Sequence, residues 1–318
     1  MIERFLSGPI LGDGGSIFEL ERRGYIQAGP FTPEVVLEAP EAVLQMHRDF
    51  ARCGAELIQA LCFYGSQDKS RHWDRLNREA VALARKAADK TRLVAGGLSP
   101  TPSFREGLRG ASLERLMQNH LTPQLEEGVD LVIGETFMWL EEALTALKVA
   151  KALQCFTVLT MNIGPGGSAD GFSPAECATR LRDTGADVVG INCAYGPDKA
   201  LSAARDMTAV GCPVGCQPLG YHCSREEGPF ETWPDFPLSL ERHQVSRDIM
   251  AEFARQARDS GIHFIGGCCG VTPVHIRAMA EALGKITEAS NKSPDMSRHI
   301  IPEVRARFQQ KVAAPELS

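Results

Sequence analysis

Two cysteines stand side by side behind two glycines in FIGGCCGVTP, residues 264–273, and a third, Cys193, closes the apolar run DVVGINC at 187–193. Thiolates are soft ligands, and three of them around one point match an open zinc site. Structural zinc takes four protein ligands, whereas catalytic zinc takes three and keeps a position for water or substrate. Glycines at 266, 267 and 270 let the backbone turn tightly enough for the adjacent Cys268 and Cys269 to reach one ion. Two other readings of the pair stay open at this point. It could be a redox switch, although adjacent cysteines close only a strained eight-membered ring, or an incidental pair with one thiol on each side of a strand.

Those cysteines matter only if the fold brings them together. Eight short apolar runs recur along the chain: PILGDGG (9–15), ELIQALCF (56–63), TRLVAGGLS (91–99), DLVIGETF (130–137), FTVLTMNIG (156–164), DVVGINC (187–193), PVGCQPLG (213–220) and HFIGGCCG (263–270). Each has the length and composition of a buried parallel strand. Between them lie stretches with the 3.6-residue period, among them PEAVLQMHRDFARCGA, opening on a proline and an acid, and SPAECATRLRDTGA, with Ser173 as N-cap and Gly185 as stop. Eight strands alternating with helices predict a single (β/α)8 TIM barrel over 1–285, with a short C-terminal extension over 286–318. The competing open doubly wound sheet has no strand-linked GxGxxG and acidic ribose partner to support a dinucleotide site. In the barrel, Cys193 ends strand six and Cys268 and Cys269 end strand eight. Those ends are neighbours on the catalytic face, although 75 residues separate Cys193 from Cys268.

The bulk composition agrees. A chain of 318 residues with 43% hydrophobic and 23% charged residues buries a sizeable core. Its net charge of −6 offers no attraction to nucleic acid or an anionic membrane. No signal peptide and no apolar run of membrane-spanning length appear, so a cytoplasmic protein is expected. Ten irregularly spaced cysteines in such a chain are read as reduced thiols, most of them plain core residues. Cys216 and Cys223, near strand seven, are possible additional ligands.

GINC followed by GGCCG resembles the motif pair of the homocysteine S-methyltransferase family, and the likeness runs over nearly the whole chain. GDGG (12–15), RRGYIQAGPFTPE (22–34), CFYGSQDK (62–69), QPLGYH (217–222) and PDFP (234–237) are similar to its betaine-using branch. The resemblance implies zinc on Cys193, Cys268 and Cys269, and homocysteine as methyl acceptor. It implies that Asp13 and Glu135 hold the amino-acid part of homocysteine, with Gly14 and Gly15 bringing backbone N–H groups to its carboxylate. The chemistry is consistent with the residues. A free thiol is mostly protonated at neutral pH, and a metal site lowers its pKa. Three cysteinates leave zinc a poor Lewis acid, which suits alkylation of a bound sulfur better than activation of water.

The donor implied is a small onium compound, glycine betaine first and a sulfonium such as dimethylsulfoniopropionate or S-methylmethionine second. A quaternary ammonium prefers aromatic faces. Tyr64 matches an aromatic of the betaine pocket, whereas Phe31 stands where betaine-using members carry tryptophan and Thr136 where they carry tyrosine. Phe137, Trp139, Tyr195 and Trp233 are candidates to compensate. His299, Arg305 or Arg307 would pair with a donor carboxylate. The long C-terminal arm used for assembly in the betaine branch is largely absent from the sequence, which argues against a tetramer and leaves a homodimer as the candidate assembly. From another class, the alternative is a non-catalytic zinc or thiol-redox sensor on the same barrel.

Overall fold

The computed structural model describes residues 1–29, 33–223, 230–287, 290 and 298–313, with side chains up to 307. Eight strands form one parallel sheet: β1 (Ile10–Leu11), β2 (Leu57–Gln59), β3 (Leu93–Leu98), β4 (Leu131–Phe137), β5 (Thr157–Met161), β6 (Val188–Asn192), β7 (Val214–Gln217) and β8 (Phe264–Ile265). Their hydrogen-bonded order is β1-β8-β7-β6-β5-β4-β3-β2. A parallel bridge from Gly12 to Leu57 joins the two ends. This is the (β/α)8 barrel, with every expected strand in place. The strands are shorter than the apolar runs because the last residues of each run leave the ladder and turn into the mouth.

Alternation along the strands sorts the apolar side chains into two layers. Ile10, Leu57, Leu93, Ala95, Leu131, Ile133, Val158, Val188 and Phe264 fill the barrel interior together with Phe5. Phe5 comes from the N-terminal helix Ile2–Leu6 and stacks on Phe156 at 5.3 Å, closing the end of the barrel away from the site. The larger layer packs strands against the surrounding helices. Helix ends follow the sequence signals. Ser173 caps the helix Pro174–Thr184 through a capping box with Glu176, and Gly185 stops it in the left-handed region at φ 106°. The last barrel helix is Pro273–Ala282, and a further helix, Pro302–Ala313, lies in the C-terminal extension. Among the described residues no helix is long and apolar enough to cross a membrane.

Candidate metal and substrate site

Cys193 is the first residue past β6 and adopts φ 57°, a left-handed conformation rare for a residue with a Cβ. Its N–H still donates to Gln217 O at 3.0 Å, so the chain is turned while it remains tied to β7. Cys268 and Cys269 do not sit on β8, which ends at Ile265. They lie on the turn beyond it, fastened on two sides: Gly267 N donates to Asp13 O at 2.9 Å, Cys268 N to Pro218 O at 2.9 Å, and Gly220 N donates to Cys269 O at 2.8 Å. The DGG segment makes room for this turn. A Cβ on Gly15 would stand 2.6 Å from Cys268 O and 2.8 Å from Cys269 Cα.

The result is three sulfurs within 4.8 Å of one another, with Cys193 Sγ 3.5 Å from Cys269 Sγ. Zinc–sulfur bonds of about 2.3 Å in a tetrahedral set put sulfurs roughly 3.8 Å apart, so this donor set fits the ion. Hydrogen bonding from Cys193 holds the Cys268 thiol well below its ordinary range, and the same bond pushes Cys193 up. No other His, Cys, Asp or Glu joins the cluster among the described residues. Cys216 belongs to the layer between strands and helices, in register with Ile191 and Ile265, and Cys223 lines a separate groove beside the helix Arg247–Asp259. The cluster therefore stays at three thiols among the described residues.

Beside the thiols are the two acids. Asp13 is 3% exposed, and its Oδ2 accepts from Gln59 N at 2.9 Å; burial raises its pKa to about 7. Glu135 lies near the C-terminal end of β4, and burial, then the charge of Cys268, raises its pKa to about 8. Gln59 Nε2 donates to Glu135 Oε1 at 2.5 Å, and Asn192 Nδ2 approaches Glu135 Oε2 at 3.5 Å. Asn192 also holds Thr136, which has φ 69°, and its Nδ2 lies 3.8 Å from Cys268 Sγ. Glu135 is half-buried and has no cationic partner among the described residues, which leaves its carboxyl group without a counter-charge. Of the two glycines, Gly15 spends its N–H on Val271 O at 3.0 Å.

These groups open into one cavity of about 780 Å³, counting its open mouth. Gly14, Gly15, Gln59, Glu135, Thr136 and the three cysteines line it, and Asp13 stands behind Gln59. Tyr64 lines it too, at φ 54°, with the Phe63 ring 4.3 Å away, centroid to centroid. Phe31 lies outside the described residues. None of the four proposed compensating aromatics lines the cavity. Phe137 is buried in the core, Trp139 lies under Arg105, Tyr195 covers Gly164, and Trp233 packs on Tyr221, Phe230 and His243. Phe63 and Phe230 line it instead. His299, Arg305 and Arg307 do not line it either, and no Lys, Arg or His does among the described residues.

Sequence reasoning passed over Gln59, Asn192, Phe63, Phe230 and Glu231. The first two carried a signal, being polar residues at the C-terminal ends of otherwise apolar strands. Phe230 and Glu231 arrive from the long connection after β7, where no period marks them.

The family model described as homocysteine S-methyltransferase matches residues 10–283. Betaine–homocysteine S-methyltransferase 1 of Danio rerio is 40% identical over 98% of this chain and 84% of its own length. S-methylmethionine–homocysteine S-methyltransferase of Pongo abelii is 37% identical over 98% of this chain and 91% of its own. In fold, the metallated homocysteine methyltransferase MmuM of Escherichia coli superimposes with a TM-score of 0.70 at 20% identity, covering 86% of this chain and 96% of that one. The chain belongs to the homocysteine S-methyltransferase family and is a methyltransferase resembling its betaine-using members.

Proposed function

We propose that this chain moves a methyl group from a small onium donor to the sulfur of homocysteine, with zinc held by Cys193, Cys268 and Cys269. Glycine betaine is the donor favoured by the family likeness, giving methionine and dimethylglycine. The observation that carries the reading is the opening of three clustered thiols, a half-buried Glu135 without an ion pair and the rings of Phe63, Tyr64 and Phe230 into one cavity. Zinc at the thiols supplies an open coordination position that holds a substrate thiol deprotonated at neutral pH. Glu135, steadied by Gln59 and Asn192, takes the ammonium of the amino acid, which draws its pKa back down. Gly14 offers a backbone N–H to the carboxylate. The aromatic rings accept the onium group by cation–π attraction. Methyl transfer from an onium to a thiolate cancels charge, and a site walled by rings and poor in water favours that cancellation.

One observation favours S-methylmethionine, whose own ammonium leaves it with net positive charge, as the second reading. The charged residues lining the cavity, among those described, are Glu135 and Glu231, with no cation to meet the carboxylate of betaine. A donor screen with the zinc-loaded chain decides between them, measuring methionine from homocysteine with glycine betaine, dimethylsulfoniopropionate and S-methylmethionine in parallel. About one zinc per chain is expected, lost together with activity in Cys268→Ala. Failure to form methionine from all three donors overturns the proposal.

A further inference from the structure

The two charged side chains that line the cavity serve different ends. Glu135 is fixed among Gln59 and Asn192 next to the thiols. Glu231 sits on the helical turn Phe230–Thr232, where it and Phe230 line the cavity. That turn is anchored through Phe230, whose buried ring meets Phe18 at 5.6 Å and Tyr221 at 5.7 Å. Glu231 reaches water at the mouth, yet burial still raises its pKa, and its charge is felt at Tyr64 and Cys268. Among the described residues its carboxylate accepts a hydrogen bond from its own backbone N–H and has no ion-pair partner.

A carboxylate without a counter-charge at the rim of an aromatic-lined cavity is stabilised by a cation that comes to it and penalised by a second anion. Onium donors differ in this respect. Glycine betaine and dimethylsulfoniopropionate are zwitterions with no net charge, whereas S-methylmethionine carries a sulfonium, an ammonium and a carboxylate, hence one net positive charge. The cavity offers no Lys, Arg or His among the described residues to neutralise a donor carboxylate.

We propose that Glu231 selects the methyl donor by net charge, favouring an onium with net positive charge over a zwitterion. Selection by charge is separable from selection by element, because dimethylsulfoniopropionate shares its sulfur with one rival and its neutrality with the other. The proposal rests on the onium methyl-transfer reading above, so its test carries an arm that does not need turnover.

The test uses the zinc-loaded chain, wild type and Glu231→Gln, at saturating homocysteine. For Glu231→Gln, kcat/KM for S-methylmethionine is expected to fall about tenfold. Values for the two zwitterions hold or rise, the KM for homocysteine stays unchanged, and Glu231→Asp keeps the wild-type preference. In the second arm, calorimetry compares binding of tetramethylammonium and glycine betaine. Glu231→Gln weakens the first about tenfold and not the second. Equal loss for all donors, or unchanged ratios, overturns the role of Glu231. If the wild type makes methionine from no donor, the function reading falls and the binding arm alone decides: unequal change upholds charge selection, and equal change ends it.

Discussion

The carboxamide of Asn192 grips Thr136 at two points: Oδ1 accepts from Thr136 N at 2.8 Å, and Nδ2 donates to Thr136 Oγ1 at 2.8 Å. Asn192 is fully buried, and its Oδ1 also accepts from Thr160 Oγ1 at 2.9 Å. One side chain thus holds β4, β5 and β6 in register at the mouth and keeps Thr136 in its left-handed backbone. Asn192→Ala orphans several buried groups, each costing about 1–3 kcal/mol. We expect a clearly lowered melting temperature and a KM for homocysteine raised about tenfold, because Glu135 loses its register. An unchanged KM in a folded variant contradicts this role.

Tyr64 lines the cavity with Phe63, their ring centroids 4.3 Å apart. Loss of one ring face from a cation costs about 1–2 kcal/mol. Tyr64→Ala is therefore expected to raise the donor KM at least roughly tenfold while the homocysteine KM moves by less than about threefold. Equal loss for both substrates makes Tyr64 a structural residue.

Acid stability has a specific source. His47 is fully buried with both ring nitrogens unpartnered, and burial lowers its pKa to about 4. A lowered folded pKa means the neutral ring's contribution is present above the unfolded pKa and is lost as pH falls toward the folded one. With an unfolded value of about 6.5, stability should decline between about pH 6.5 and 4, by roughly 2 kcal/mol from this residue at pH 5. Urea unfolding of His47→Leu at pH 7 and pH 5 checks it. The variant should lose roughly 2 kcal/mol less than wild type over that interval, and an identical loss refutes the assignment.

Gly15 decides whether the ligand turn can dock. A Cβ there would stand 2.6 Å from Cys268 O and 2.8 Å from Cys269 Cα, and neither backbone atom has a flexible way out. In Gly15→Ala, zinc per chain should drop well below one, measured by elemental analysis after gel filtration. Circular dichroism should report a barrel that is still helical. Full zinc occupancy would falsify the docking account.

The barrel was legible because each strand repeats one pattern, an apolar run of strand length ending in a polar or small residue. DLVIGETF and DVVGINC carry their functional residues within or immediately after the strand, so Glu135, Thr136 and Cys193 could be placed from the sequence. Cys268 and Cys269 were placed on the correct face but on the wrong kind of backbone. Gly266 and Gly267 take the chain off the ladder before the cysteines arrive. The aromatic side of the cavity was hidden for a different reason. Phe230 and Glu231 reach it from a connection whose path depends on packing against Phe18 and Tyr221, contacts distant in sequence. Trp139 and Tyr195 looked suitable by composition, but neighbours claim their faces, Arg105 and Gly164 respectively.

The ligand turn is sewn to the first strand's loop, through Gly267 N to Asp13 O and Gly15 N to Val271 O. Residues from opposite ends of the barrel must meet before three sulfurs face one another. A ribosome-bound chain that has emerged only as far as β7 presents Cys193 alone, and one sulfur is a poor trap for zinc. Zinc held as proposed would therefore be captured late in biosynthesis, and a loaded ion would certify that the ring has closed.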